Sequence, residues 1–443
     1  MIRRTLCFVA IGTCLCVFPN ARAGAKEAEL AVPQALFNYV QREEKVFEWK
    51  LNGHQELEQE HGTIYNLDLT SQEWQGIVWK HALVVCEPKQ LRHPNHVLLF
   101  VTGGSNGNRP SQRDLQRGIA LAKLCGARVA MIHQVPNQPL FDGRKEDDLI
   151  TDTWLRYLET GDESWPLLFA MVKSAVKAMD AIEELAAQEW KTDIKGFMIT
   201  GASKRGWTSW LTPVVDKRVM ATAPIVIDVL NFRPQMRHQL DSWGKYSEQI
   251  FDYTSKGLIV EGKESPREMH LRRMMDPYTY RKELALPKLL VNGTNDPYWV
   301  VDAMKLYWDD LVGPKYVLQV PNAGHGLDGG QELALSTIAA FFQHNAGGRP
   351  LPQLTWQRSV NGDAITLRVT SSIQPNAARL WVAHSETKDF RGAKWESKPL
   401  EAQSKTFVAE LDKPKNGHVA HFGELQFEIN GVPYSLCTLI QRD

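Results

Sequence analysis

Short apolar runs alternate with longer amphipathic segments between about residues 96 and 345. Runs of this length and apolar content are typical of strands that are covered on both faces, as in a parallel sheet. The segments between them repeat apolar residues at helical spacing, and the longest of them has a proline near its start. This alternation predicts an α/β fold with a doubly wound, mostly parallel sheet. The predicted strands are 96–102, 128–133, 196–200, 221–227, 288–292 and 316–320, and the predicted helices are 111–125, 166–190 and 329–344.

Three parts of the chain depart from this alternation. Residues 231–286 hold several tyrosines and a tryptophan among many charges, and we interpret them as an insertion that is either a plain surface excursion or a substrate-binding cap. After residue 348 the pattern changes to short runs separated by Asn-Gly, Lys-Pro and Gly turns, which predicts a C-terminal all-β sandwich over 349–443. Residues 24–88 are expected to supply leading strands, with 77–86 the best candidate. The predicted domains are therefore an α/β domain at 24–348, which holds the insertion, and a β-sandwich domain at 349–443.

The N-terminus has the pattern of a secretory signal peptide. Two arginines precede a mostly apolar run at 6–18, and an Ala-Arg-Ala sequence ends at Ala23. The run is too short to span a bilayer, so we expect cleavage after Ala23 and a secreted or periplasmic protein without an integral membrane segment.

Charge and cysteine content exclude several classes. Cleavage would remove three of the 51 basic residues against 51 acidic ones, so no basic surface for nucleic acid is expected. The mature chain would keep Cys86, Cys125 and Cys437, an odd number at wide spacing, which does not form a disulfide framework. Stability must come from a hydrophobic core, which a composition of 43% hydrophobic residues can supply.

The sequence KGFMITGASKRGWTSW at 195–210 has the outline of a nucleophile elbow. An apolar run ends in Gly-x-Ser and passes into a predicted helix, which would hold the hydroxyl of Ser203 in the open beside a base and amide donors. The second glycine is Gly206, at plus three from the serine, because Arg205 occupies the usual plus-two position.

An acid and a histidine follow Ser203 in the order that an α/β-hydrolase requires. Asp296 comes directly after the predicted strand 288–292, and His325 lies between two glycines after the strand 316–320. His325 would take the proton of Ser203, and Asp296 would hold the imidazole in the correct tautomer. Asp228, at the end of the strand 221–227, is the alternative acid.

Further candidates surround this predicted triad. The backbone N–H of Lys204 and the Gly-rich loop at 102–107, with Gly104 and Ser105, are the expected oxyanion donors. Lys204 and Arg205 would attract an anionic group or pair with an acid such as Asp216. Trp299 and Trp165 are candidate pocket walls, whereas Trp207 and Trp210 are expected in the core.

The sequence gives no basis for a cofactor or metal ion. It has no P-loop sequence and no His-x-x-x-His or Cys-x-x-Cys spacing. The predicted partner is a small-molecule or peptide substrate, with a cell-surface or polysaccharide contact through the C-terminal sandwich as a further hypothesis.

Four motifs together resemble the PhoPQ-activated pathogenicity-related protein family. They are LTSQ-x-W at 69–74, GGSNG at 103–107, GASKRGW at 201–207 and NGTND at 292–296, and the resemblance runs from about residue 36 to the C-terminus. It implies a secreted or periplasmic α/β-hydrolase, with a link to virulence or antimicrobial-peptide resistance.

The motifs favour an exported serine hydrolase that cleaves an ester or amide through an acyl-enzyme on Ser203. Two alternatives stay open: a secreted peptidase of oligopeptidase type, and a non-catalytic binding or signalling protein on a hydrolase scaffold.

Overall fold

The apolar runs form one twisted sheet. A computed structural model describes residues 30–57, 62–400 and 405–443, and within these ranges the sheet has nine strands. They are β1 (Glu48–Leu57), β2 (Gly62–Trp74), β3 (Ile77–Glu87), β4 (His96–Val101), β5 (Arg128–Ile132), β6 (Gly196–Ala202), β7 (Val219–Ile225), β8 (Lys288–Gly293) and β9 (Lys315–Val320).

The strand order places the carboxyl ends of the parallel strands at one edge. The order is β1-β2-β3-β5-β4-β6-β7-β8-β9. Neighbours from β1 to β5 in this order pair antiparallel, and neighbours from β5 through β4 to β9 pair parallel. The chain leaves β4 toward β5 on one side and later returns to β6 on the other. Such a reversal opens a crevice at the carboxyl ends of the strands, where open α/β sheets place their sites.

Helices cover both faces of this sheet. They are α1 (Ala35–Gln41), α2 (Gln112–Cys125), α3 (Glu146–Thr160), α4 (Leu167–Leu185), α5 (Lys204–Val215), α6 (Phe232–Trp243), α7 (Phe251–Ser255), α8 (Pro266–Met275) and α9 (Gln331–Ala346). The long helix α4 is buried along most of its length because it packs on the sheet, on α1 and on α5. It is continued by a π-helical turn at Ala186–Trp190.

The structure confirms the predicted α/β class and its elements. Every predicted strand and helix is present. The strand predicted at 221–227 begins and ends two residues earlier, as β7, and the helix predicted at 329–344 begins and ends two residues later, as α9. Helix α3 was not predicted.

The predicted insertion is a helical cap, formed by α6, α7, α8 and two short 3₁₀ turns between β7 and β8. Its two ends meet at the buried carboxylate of Asp276, which accepts backbone N–H bonds from Asn231, Phe232 and Tyr278 at 3.0, 2.9 and 2.9 Å. Because one side chain satisfies amides from both ends of the insertion, the base of the cap is fixed.

The C-terminal strands form two antiparallel sheets, as the sequence predicts. The strands are β10 (Leu354–Asn361), β11 (Ala364–Ser371), β12 (Ala377–Ser385), β13 (Trp395–Leu400), β14 (Thr406–Asp412), β15 (His418–Ile429), β16 (Val432–Cys437) and β17 (Gln441–Arg442). One sheet has the order β10-β11-β14; the other has the order β13-β12-β15-β16, with β17 also paired to β15. The division into two domains at residue 348 stays a prediction.

Cys86, Cys125 and Cys437 are buried free thiols. In the part of the chain that the structure describes, no helix combines the length and the apolar content that crossing a bilayer requires. The predicted signal peptide at 1–23 lies outside the described residues.

Candidate active site

The turn from β6 into α5 carries Ser203 in a strained conformation. Its backbone has φ 56° and ψ −123°, a combination that L-residues rarely adopt. The Ser203 N–H donates to the carbonyl of Ile225 at 2.9 Å, and its own carbonyl accepts the N–H of Trp207 at 2.9 Å, which starts the helix. A strained backbone that is held from both sides is characteristic of functional positions.

Two glycines allow this turn to be so tight. A Cβ on Gly201 would lie 2.8 Å from the backbone of Arg205, and one on Gly206 would lie 2.7 Å from the side chain of Ile227 and 2.8 Å from the carbonyl of Gly201. The plus-three glycine therefore provides the close approach between strand and helix, and this explains why the plus-two position can hold Arg205.

Ser203, His325 and Asp296 form one hydrogen-bonded chain. Nε2 of His325 lies 3.0 Å from Oγ of Ser203, and Nδ1 lies 2.8 Å from Oδ2 of Asp296. The imidazole is half-buried, whereas Asp296 is buried. The three residues come from loops after β6, β8 and β9, and these distances lie within hydrogen-bonding range for a nucleophile, a base and an orienting acid.

The Asp296 loop and the His325 loop are bonded to each other. Asn295 N–H donates to the carbonyl of Ala323 at 3.0 Å, and Asn322 N–H donates to Oγ1 of Thr294 at 2.9 Å. These bonds fix the distance between the acid and the histidine.

Tyr298 contacts both Asp296 and His325. Its N–H donates to Oδ1 of Asp296 at 2.9 Å, and its ring lies against the imidazole of His325 with 4.2 Å between centroids. The tyrosine thus satisfies the second carboxylate oxygen and limits the rotation of the imidazole.

The alternative acid, Asp228, does not contact the histidine. Its carboxyl accepts a hydrogen bond from the hydroxyl of Tyr307 and borders a separate small cavity of about 20 Å³ next to Asp296. Burial raises the pKa of Asp228 to about 7, the Tyr307 hydrogen bond opposes this rise, and the charges of Asp296 and Asp302 add to it.

This raised pKa predicts a pH-dependent stability that Asp228→Asn removes. Folded protein binds the Asp228 proton more tightly than unfolded protein does, so this group stabilises the fold below about pH 4, and its contribution is lost as the pH rises through about 7. We expect the free energy of unfolding of Asp228→Asn, relative to the unsubstituted protein, to increase by about 2–3 kcal/mol between pH 5 and pH 8. Urea unfolding at both pH values measures this, and an unchanged difference would contradict it.

The two cations after Ser203 are neutralised by α3. Arg205 makes a bidentate pair with Glu146 at 2.8 Å for both bonds and donates to the carbonyl of Val135 at 2.6 Å. Nζ of Lys204 lies 3.2 Å from Glu146 and 3.1 Å from Asp147. Burial alone would raise the pKa of Glu146, but the hydrogen bonds and charge of Arg205 and the charge of Lys204 lower it to about 2. Asp216 pairs instead with Arg218.

Arg205 also contacts the Gly-rich loop, and its role in substrate binding stays a prediction. One guanidinium nitrogen of Arg205 lies 2.6 Å from the point that a Cβ on Gly103 would occupy. The guanidinium therefore fills the space beside Gly103 and supports the Gly-rich loop. Gly104 is exposed on this loop, its carbonyl accepts a bond from Gln138 at 3.3 Å, and Ser105 lies beside it. The oxyanion role of Lys204, Gly104 and Ser105 stays a prediction.

A cavity of about 520 Å³ opens at Ser203 and His325 and extends under the cap. The side chains of Trp299, Tyr298 and Trp207 form its wall near the triad, so Trp299 lies where the sequence predicted. Trp207 is buried in the core, as predicted, and it also lines the cavity, while its Nε1 donates to the carbonyl of Met275 at 2.7 Å.

Trp165 and Trp210 lie elsewhere. Trp165 packs against Trp74 and Phe141, and Trp210 is fully buried, as predicted. Sequence reasoning missed Tyr298 and Asp147; the aromatic residue two positions after Asp296 was the available signal for the first. In residues 30–57, 62–400 and 405–443, no group of three or more His, Cys, Asp or Glu side chains is placed to hold a metal ion.

The sheet order, the elbow after β6 and the loops after β8 and β9 define an α/β-hydrolase fold. Residues 36–391 match the family described as PhoPQ-activated pathogenicity-related protein, and the chain belongs to that family. It is 34% identical over 381 residues to autocrine proliferation repressor protein A of Dictyostelium discoideum, with 80% of this chain and 76% of that protein covered.

Solved structures with a similar fold include two esterases. Acetyl xylan esterase 1 from a Thermoanaerobacterium species has 15% identity and a TM-score of 0.47, with 70% of this chain and 94% of that chain covered. The acetyl xylan esterase from a Paenibacillus species has 15% identity and a TM-score of 0.46, with 66% and 86% covered.

Proposed function

We propose that this protein is a serine hydrolase that cleaves a carboxylic ester or amide through an acyl-enzyme on Ser203. The observation that carries the proposal is the hydrogen-bonded chain from Ser203 through His325 to Asp296, which opens onto a cavity of about 520 Å³. A strained serine beside a base that is itself oriented by a buried acid is the arrangement that activates a hydroxyl.

In the acylation step, Oγ of Ser203 attacks the carbonyl carbon while its proton passes to Nε2 of His325. Asp296 holds the tautomer with the proton on Nδ1 and stabilises the imidazolium. The tetrahedral intermediate collapses, the leaving group takes the proton from Nε2, and the acyl group stays on Ser203. Water then attacks this ester and gives a proton to Nε2 of His325. The second tetrahedral intermediate collapses as His325 returns that proton to Oγ of Ser203, which releases the acid and restores the free hydroxyl.

Backbone amides would stabilise the oxyanion in both steps. The N–H of Lys204 follows the nucleophile directly, and the loop with Gly104 and Ser105 follows β4, the strand beside β6. These are the positions from which α/β-hydrolases donate.

Active-site labelling tests the proposal. We expect a fluorophosphonate to modify Ser203 in the mature protein, His325→Ala to slow labelling by at least about 10²-fold, and Ser203→Ala to abolish it, because only an activated hydroxyl reacts. Peptide mass spectrometry identifies the modified residue. His384→Ala is the matched control, since His384 is exposed on β12, and it should label at the unsubstituted rate.

Two results of the labelling experiment would contradict the hydrolase proposal. If folded protein, checked by circular dichroism, takes no label at Ser203, or if His325→Ala labels as fast as His384→Ala, the hydrolase proposal is wrong.

Export belongs to the same proposal. The Ala-Arg-Ala sequence ending at Ala23 supports cleavage there and a secreted or periplasmic location, and the family's name motivates a role in virulence or antimicrobial-peptide resistance. Cleavage is checked by N-terminal sequencing of the exported protein, which should begin at Gly24.

A second candidate function is extracellular signalling or binding without catalysis. It is favoured by the 34% identity to a protein named as a proliferation repressor. If Ser203→Ala keeps a biological effect of the unsubstituted protein, the effect comes from binding; if the effect disappears while the fold is retained, it comes from hydrolysis.

A further inference from the structure

The cavity beside Ser203 has charged side chains in its lining, and each of them has an ionic or hydrogen-bonding partner within the protein. Among the described lining residues, four acidic and four basic side chains balance. Next to the triad, Asp147 is held by Lys204 at 3.1 Å and by the hydroxyl of Tyr253 at 3.0 Å.

The same holds at the cap end of the cavity. Glu264 pairs with Arg272 at 2.8 Å and with Arg233 at 3.3 Å. Glu261 accepts the hydroxyl of Tyr246 at 2.8 Å, and Glu268 accepts the backbone N–H of Ser265 at 2.6 Å. The last basic residue, Arg237, pairs with Asp241 at 3.2 Å. A charged substrate group that entered this cavity would lose its own hydration, and at Asp147 or Glu264 it would compete with the ion pairs already formed.

Most of the other lining side chains are apolar, and they come from both the α/β layer and the cap. Trp207, Ile227 and Trp299 lie on the α/β side, and Phe232, Leu258 and Leu271 belong to the cap. A mostly apolar lining of this kind is typical of sites that bury most of a ligand's surface.

The volume of the cavity sets the size of the group it accepts. About 520 Å³ lies within the range of roughly 300–1,000 Å³ that is typical of sites for whole small-molecule ligands. An acetyl group would leave most of the apolar wall in contact with water.

From the paired charges, the apolar wall and the volume, we infer that the substrate is an uncharged ester or amide with a bulky apolar group, larger than acetyl, which fills the cavity under the cap. This inference rests on the proposed function. It disfavours substrates that place a free amine, a carboxylate or a phosphate in this cavity.

A chain-length series on the mature protein tests the inference. We expect kcat/KM to rise about fourfold for each added methylene in one of two series, either from p-nitrophenyl acetate to p-nitrophenyl hexanoate or along acetate esters of alkyl alcohols of increasing length, because each methylene leaves water for an apolar wall. The mono-p-nitrophenyl ester of adipic acid and the p-nitrophenyl ester of 6-aminohexanoic acid carry a negative and a positive charge, respectively, at the end of a chain of similar length. Their kcat/KM should be at least tenfold lower than that of p-nitrophenyl hexanoate.

A cavity-filling variant supplies an independent measurement. Val260 is half-buried in the cap lining, and Val260→Trp should lower kcat/KM for hexanoate about tenfold while acetate changes less than about twofold. Val408→Trp is the matched control, since Val408 is 44% exposed on β14, and it should leave both substrates unchanged.

The outcomes separate this inference from the proposed function. If fluorophosphonate labels Ser203 but kcat/KM is flat or falls with chain length in both series, or a charged ester is preferred, the substrate class is wrong while the hydrolase stands. The same conclusion follows if Val260→Trp slows acetate and hexanoate equally. If Ser203 takes no label, the proposed function itself fails.

Discussion

Asp296→Asn is expected to lower kcat for a cleaved ester by about 10⁴-fold. The carboxylate is the acceptor for Nδ1 of His325 at 2.8 Å, and its other oxygen accepts the N–H of Tyr298 at 2.9 Å. An asparagine that kept its oxygen toward Tyr298 would present its amide nitrogen to the imidazole. His325 would then carry its proton on Nε2, and a protonated Nε2 cannot accept the proton of Ser203. In a serine protease the same Asp→Asn change lowers kcat by about 10⁴-fold.

Asp228→Asn is the matched control for this measurement. It removes a carboxyl of the same kind from the adjacent strand end, and an asparagine oxygen can still accept the hydroxyl of Tyr307. We expect kcat to stay within about threefold of the unsubstituted value. A large loss in Asp228→Asn together with a small loss in Asp296→Asn would assign the acid to Asp228 and would show that the geometry described above is not the reactive one.

The three members of the hydrogen-bonded chain could be predicted because each follows an apolar strand. The carboxyl ends of parallel strands lie at one edge of a sheet, so residues that are far apart in sequence but directly follow such strands are brought together by topology alone. Ser203, Asp296 and His325 satisfy this rule. Asp228 satisfies it equally well, and only the observed path of the loops places it on Tyr307 instead of His325.

The partners of the two cations could not be predicted in this way. Arg205 pairs with Glu146, which begins α3 at the end of the long loop after β5, and no spacing rule connects these residues. Helix α3 itself was not predicted, although the three acidic residues in its first turn are a signal for a helix start. The cavity depends on the cap, whose mostly polar sequence does not indicate which side chains face the triad.

The C-terminal sandwich gains a role that its sequence does not suggest, because it holds both triad loops. Asn295, beside the acid, donates its side-chain amide to the carbonyls of Ala393 at 2.7 Å and Arg391 at 3.1 Å. Asn322, three residues before the histidine, accepts the N–H of Trp395 at 2.7 Å and donates to its carbonyl at 2.9 Å. The loop before β13 and the start of that strand therefore connect the sandwich to the positions of Asp296 and His325.

This connection predicts that Asn322→Ala lowers kcat by about 10–10² fold, because a displacement of the imidazole by about 1 Å costs that much in a preorganised site. Asn430→Ala is the matched control. Both asparagines have positive φ, 57° and 50°, and both side chains connect the sandwich to the α/β layer, but Asn430 bonds to Gln343 on α9, away from the triad loops. The two variants should lose similar stability in urea, whereas only Asn322→Ala should lose kcat and react more slowly with fluorophosphonate. Equal kinetic losses in the two variants would mean that the sandwich stabilises the fold without positioning His325.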